Sequence, residues 1–205
     1  MRYILSILLF ATFIYSNDYL SSEESFSGQD LTFIPITITD SGTITDLNIM
    51  VNSNHEYQYG LRYLTLQLLS PNGNSVQLGH GDQNGVSPYW TDSDGGNLYN
   101  TVFDDESSTS IYAGTAPFAG AYQPDASLSD FDGQSITGTW QLLITNSSAS
   151  SGTVQFTIMV ETIPPYEGPV CYVSTEGSDI IANGSEEYPF TSIQQGIDVA
   201  SDGNT

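Results

Sequence analysis

Apolar and polar positions alternate along most of this chain with a period of two, the spacing of half-buried strands. Leu31 to Ile38 opens an apolar run, and Thr39-Asp-Ser-Gly42 supplies a turn. A second strand is predicted over 43–51, with Leu47, Ile49 and Val51 on one face and Asn48 and Met50 on the other. In 61–69 the residues Leu64, Leu66 and Leu68 alternate with Tyr63, Thr65 and Gln67, and Ser70-Pro-Asn-Gly-Asn74 turns the chain back into Val76–Leu78. A long loop from Gly79 to Gly96 holds His80 and Trp90. Beyond it Leu98, Asn100 and Val102 alternate with Tyr99, Thr101 and Phe103. Residues 110–113 read as a short strand, 114–124 as irregular chain, and Leu128–Phe131 as a local apolar plug. The last two strands are the clearest: Trp140, Leu142 and Ile144, then Val154, Phe156, Ile158 and Val160, joined by a Ser-rich turn at 146–152. Seven or eight short strands and no convincing helix in this region predict an all-β antiparallel sandwich.

The two ends read differently. Arg2, the apolar run Tyr3–Tyr15 and the small Ser16 have the layout of a cleaved signal peptide over 1–16. Residues 17–30 are polar and aperiodic, so 17–35 are expected to lead into the fold. Ile163-Pro-Pro-Tyr-Glu-Gly-Pro169 is a stiff linker. Over 170–205 a strand at 170–174 precedes a helical stripe of Phe190, Ile193, Ile197 and Ala200, with Thr191 or Ser192 able to cap it. A strand and one helix bury too little surface to stand as a domain.

Charge narrows the function. The 205 residues hold 24 Asp and Glu against 2 basic side chains, Arg2 and Arg62, a formal net charge of −22. Nucleic-acid binding depends on Lys and Arg at phosphates, so it is excluded, and attraction to an anionic membrane fails for the same reason. The apolar run near the N-terminus is too short to span a bilayer. So acidic a chain suits soluble, salt-rich or calcium-rich surroundings, where cations screen its self-repulsion. Cys171 is the single cysteine and reads as a small buried hydrophobe.

Carboxylates gather around one strand. Asp104, Asp105 and Glu106 follow it directly, and Asp92, Asp94 and Asn97 lie just upstream in a Gly-rich loop. Adjacent carboxylates repel and raise one another's pKa, which a cation relieves. Oxygen donors on irregular loops suit calcium, so these six residues form the candidate metal set. Loop aromatics Tyr57, Tyr59, Tyr89, Trp90 and Tyr112 form an alternative site that would stack on a glycan or anchor a protein; Trp140, within a strand, reads as core. Only His55 and His80 could serve as bases, and Ser135 lacks the nucleophile-elbow spacing, so no catalysis is expected. Asn146-Ser-Ser and Asn183-Gly-Ser match the glycosylation acceptor pattern.

Five segments, in order, resemble the P domain (P/Homo B domain) that follows the catalytic domain of subtilisin-like proprotein convertases. They are Ser-Gly-Thr-Ile-Thr-Asp-Leu-Asn-Ile at 41–49, Leu-Arg-Tyr-Leu-Thr-Leu-Gln-Leu-Leu-Ser-Pro-Asn-Gly at 61–73, Asn-Thr-Val-Phe-Asp-Asp-Glu at 100–106, Ala-Pro-Phe-Ala-Gly-Ala-Tyr-Gln-Pro at 116–124 and Gly-Thr-Trp-Gln-Leu at 138–142. The resemblance spans about 36–162 and implies a jelly-roll-like sandwich that is not itself catalytic but helps a neighbouring protease fold and stay stable. Residues 17–35 are too few for a subtilisin-like domain ahead of it. Residues 172–179 and 189–200 resemble the N-terminal cap of pectin-lyase-type parallel β-helices, which implies a truncated solenoid over 170–205 and a downstream β-helix domain as the missing partner. The combined expectation is a secreted accessory module, calcium-stabilised, with an extracellular protein or glycan as alternative partner.

Overall fold

The computed structural model describes residues 15–56, 60–81, 97–168 and 170–199. Its strands are β1 (Tyr15–Leu20), β2 (Glu24–Ser27), β3 (Leu31–Ile38), β4 (Thr43–His55), β5 (Leu64–Leu69), β6 (Ser75–His80), β7 (Leu98–Phe103), β8 (Phe118–Tyr122), β9 (Gly138–Asn146) and β10 (Ser151–Ile163), followed by one helix, α1 (Ile193–Val199). They form two stacked sheets, one ordered β1-β10-β4-β7-β8 with β2 also on β10, the other β3-β9-β5-β6. Neither sheet closes into a barrel, and the expected sandwich is the fold observed.

The alternation in the sequence becomes the core. Ile34, Ile36 and Ile38 of β3, Leu64, Leu66 and Leu68 of β5, and Trp140, Leu142 and Ile144 of β9 face inward from the second sheet. They meet Leu47, Ile49 and Val51 of β4 and Val154, Phe156, Ile158 and Val160 of β10. Trp140 is fully buried, as its place in a strand predicts; its Nε1–H donates to Ile136 O at 2.8 Å and its ring meets Phe131 edge-on at 5.1 Å. The buried indole N–H is therefore satisfied. Pro35 sits in β3, an outer strand of its sheet, where the missing N–H costs no ladder bond.

Several local expectations change. Residues 17–35 do not merely precede the fold. β1 pairs with β10 from Tyr15↔Thr162 to Leu20↔Thr157, and β2 pairs with the start of β10 along the same edge. β8 is a strand rather than irregular chain, and it runs parallel to β7. Residues 111–113 form a 3-10 turn, with the Ser110 hydroxyl accepting from Tyr112 N at 3.3 Å, rather than a strand.

The strict alternation in β7 also breaks. Asn100 has φ 47°, and the register slips between Tyr99 and Thr101, so Leu98, Thr101 and Phe103 face the core. Asn tolerates this left-handed backbone better than most residues, and its N–H is held by Asn52 Oδ1 at 2.8 Å.

The tail begins as a small hydrogen-bonded unit. A parallel bridge joins Val173 to Phe190, and Phe190 N donates to Tyr172 O at 3.1 Å. α1 is capped by Ser192 Oγ, which accepts from Gln195 N at 3.1 Å. Of the predicted apolar stripe, Phe190 is buried, but Ile193 and Ile197 are 72% and 61% exposed. α1 turns Gly196 inward instead, with Val173 beside it. Ala200 lies outside the described residues, and Cys171 is half-buried rather than fully enclosed.

Candidate functional site

The carboxylates assemble where β7 ends. Asp104 N donates to Tyr122 O of β8 at 3.0 Å, which fixes the chain as it leaves the sheet. Asp104 Oδ1 then accepts Glu106 N at 2.7 Å, closing a tight acidic turn. Asp105 points the other way. Its carboxylate accepts from Leu128 N at 3.1 Å, Ser129 N at 2.9 Å, Ser129 Oγ at 2.7 Å and Ser127 Oγ at 2.5 Å, and so caps a 3-10 turn at Leu128–Phe131. Burial pushes this carboxyl up, but the hydrogen bonds from Ser127, Ser129 and Leu128 outweigh it and hold Asp105 below the ordinary aspartate value.

That turn delivers a further carboxylate. Leu128 and Phe131 are buried, and Gly133 N donates to Ile44 O while Ile44 N donates to Gln134 O, both at 2.9 Å. Gly133 has φ +77°, and a side chain there would lie 2.5 Å from Ile180 O, so only glycine fits. Asp132 is thereby carried toward Asp46 of β4. Burial first, then Asp46, Asp105 and Glu106, push Asp132 up to about 6. Asp46 is raised by burial, then by Glu161 and Asp104, and Glu161 is its cross-strand partner on β10. Like charges directly opposite destabilise a ladder. Glu106 is raised through its hydrogen bond with Asp104, then by burial. Asn48 Nδ2, donating to Asp46 Oδ2 at 3.0 Å, is the neutral donor within the group.

The expected metal set therefore divides. Asp104 and Glu106 stand on this acidic face. Asp105 is occupied by the turn it caps. Asn97 is committed elsewhere: its Oδ1 accepts His55 N at 3.0 Å and its Nδ2 donates to Tyr99 Oη at 3.2 Å. Asp92 and Asp94 lie outside the described residues. Among the described residues no three His, Cys, Asp or Glu side chains converge as a set that could enclose a metal ion. Asp46, Asp132 and Glu161, brought in by strand register and by the 3-10 turn, were not part of the expected set. Their sequence signal was weak, because Asp46 and Glu161 are single acids within strands and Asp132, which shares its turn with Asp130, lies far along the chain from 104–106.

Of the loop aromatics, Tyr57, Tyr59, Tyr89 and Trp90 lie outside the described residues. Tyr112 packs on the core with its ring 5.4 Å from His80 in an edge contact, and burial, then Asp125, push its phenol up. His80 Nδ1–H donates to Gly81 O at 2.8 Å. His55 is buried at the end of β4, with Nε2 3.2 Å from Ser53 Oγ and Phe26 edge-on at 5.5 Å; burial lowers it to about 4. Ser135 Oγ accepts from Thr137 N at 3.2 Å. Asn146 is 4% exposed and its Nδ2 donates to Ser150 O at 2.8 Å, so its amide is occupied within the fold.

The architecture is that of a β-sandwich module carrying an acidic face where β7 ends. The family model for the proprotein convertase P-domain matches residues 44–159, more than half the chain. The chain belongs to that family, whose members are accessory domains of subtilisin-like proteases. No curated protein sequence matches. Among solved structures, a serine protease of Aeromonas sobria is similar at 13% identity and a TM-score of 0.37, over 72% of this chain and 27% of that one. The chain thus spans about a quarter of that protein's length. Among the described residues, no helix is long and apolar enough to cross a membrane.

Proposed function

We propose that this chain is a secreted, non-catalytic P-domain module that supports the folding and stability of an attached domain, and that calcium stabilises it. The observation that carries the calcium reading is the mutual repulsion of Asp46, Glu106 and Asp132, each raised in part by its acidic neighbours. A divalent cation would relieve that repulsion. Asp46, Asp104, Glu106 and Asp132 are the residues that would attract it. Because they do not converge into a cage, they would draw calcium to the face and leave part of its water shell in place. The tail would pass the sandwich on to the domain it supports, through the stiff Pro164–Pro165 linker.

The test is a thermal melt of the full chain in excess calcium and in excess chelator. A ligand that binds only the folded state adds about 2.7 kcal/mol at a hundredfold excess over its Kd. A shift upward with calcium, reduced in Asp46→Asn and Asp104→Asn, is the expected result. Equal melting temperatures in calcium and chelator refute the calcium reading and leave the family assignment standing.

A further inference from the structure

The tail holds a pocket that lies outside the stretch matched by the family. Tyr166 of the linker, Tyr172, Ser185, Glu186 and Glu187 line a cavity of about 480 Å3. That is room for a long side chain and part of its backbone.

Its walls are held in place by hydrogen bonds. Asn183 Nδ2 donates to Pro164 O at 2.8 Å, which ties the loop to the linker. Tyr172 N donates to Gly184 O at 2.9 Å, Gly184 N to Tyr188 O at 3.0 Å, and Tyr188 N to Ser185 Oγ at 3.0 Å. Ser185 N donates to Asn183 Oδ1 at 3.0 Å, so the turn bearing both glutamates is braced on each side. Tyr166 folds over Gly168, where an added Cβ would fall 2.1 Å from the phenol oxygen. The loop and the linker are therefore pre-organised around the cavity.

The chemistry of the lining is selective. Tyr166 and Tyr172 are 36% and 37% exposed, so each ring is anchored yet shows part of itself to the cavity and solvent. Two exposed carboxylates stand beside them, and no hydrogen bond or ion pair within the described residues engages Glu186 or Glu187. Aromatic faces attract cations, and paired carboxylates accept N–H donors from one. A guanidinium satisfies both at once, being planar enough to lie on a ring and forked enough to bond carboxylate oxygens. The chain has no lysine and only two arginines at a net charge of −22, so its field draws cationic partners and supplies few cations of its own.

We infer that this pocket binds an arginine side chain presented by a basic segment of another protein. A lysine fits less well, because its ammonium is a compact, strongly hydrated point charge.

The probe is a short capped peptide with one central arginine, labelled for fluorescence polarisation, with lysine and citrulline versions; citrulline keeps the shape and loses the charge. Titrations use the full chain at physiological ionic strength. The arginine peptide should bind, the lysine peptide should bind more weakly, and the citrulline peptide should not bind. Glu186→Gln/Glu187→Gln should weaken the arginine peptide about tenfold or more, as expected for the loss of charge-assisted contacts. Glu23→Gln/Glu176→Gln removes the same charge from residues that do not line the pocket and should leave affinity within about twofold, since no direct contact is lost. Tyr172→Leu should weaken binding while the melting temperature stays close to the parent's. Equal losses in both double variants would reduce the effect to bulk charge and overturn the proposal. Binding of citrulline as tightly as arginine would overturn it too, as would no binding at all.

Discussion

Neutralising Asp132 should stabilise this protein at neutral pH. Asp132 stands at about 6 in the folded state against an ordinary 3.8, raised by burial and then by Asp46, Asp105 and Glu106. A folded-state pKa above the unfolded one means the folded protein holds this proton more tightly. Stability therefore falls as pH rises from about 4 to about 6, and above that the folded state carries the full cost of the charge. For a fully buried group that difference corresponds to about 3 kcal/mol. Asp132 is only half-buried, so solvent screening reduces this to about 1 kcal/mol. Asp132→Asn keeps the shape and removes the charge. In chelator at pH 7.5 it should raise the melting temperature by about 2–4 °C, the usual response to 1 kcal/mol in a domain of this size. At pH 4 the gain should shrink, because the parent's own carboxyl then holds its proton in the fold. In excess calcium the gain should shrink or reverse, because the variant has also lost a charge that attracts the cation. Melts followed by circular dichroism at both pH values, with and without calcium, check all three outcomes. A variant no more stable than the parent at pH 7.5 in chelator would refute the repulsion argument, and one equally stabilised at pH 4 would assign the gain to something other than charge.

Two further outcomes follow from neighbouring residues. Asp105→Ala leaves Ser127, Ser129 and Leu128 N without their acceptor, so urea denaturation should show a loss of about 1–3 kcal/mol while the shift produced by calcium stays near the parent's. His55 is lowered by burial to about 4 against an ordinary 6.5, so its contribution is present above pH 6.5 and lost as pH falls toward 4, by about 3 kcal/mol; a His55→Gln variant should show a correspondingly smaller acid loss in pH-dependent melts.

The core was legible because it depends on a local rule. In β3, β9 and β10 the side chains alternate between core and the other face, and the sequence carries that alternation directly. β1 and β2 obey no such rule. Their sequences carry no run of alternating apolar residues, and what makes them strands is the open edge of β10, more than a hundred residues away. β8, Phe-Ala-Gly-Ala-Tyr, has three small residues between its two aromatics, and its parallel pairing with β7 is equally non-local. In α1 the helical period was readable but not the face that would be buried, since a buried Gly196 adds nothing to an apolar stripe. The acidic site divides along the same line. Asp104, Asp105 and Glu106 are neighbours in sequence, whereas Asp46 and Glu161 meet only through strand register, and Asp132 only because Asp105 caps the turn that carries it.

Asp105 thus holds a turn distant in sequence, a task its sequence neighbours lack, and that task is coupled to the acidic face. Its lowered pKa reflects hydrogen bonds that hold the 128–131 turn, and that turn places Asp132 where the remaining acids raise it. The Asp105 carboxylate is stabilised by the fold while Glu106 beside it is raised. His55 and Asp132 then titrate over overlapping ranges with opposite signs, His55 losing stability and Asp132 regaining it as pH falls from about 6 to about 4. Over this range the two contributions partly cancel. Removing the Asp132 charge takes away one of the gains that offset the His55 loss, so an Asp132→Asn protein, more stable at neutral pH, should also be the more steeply acid-sensitive of the two.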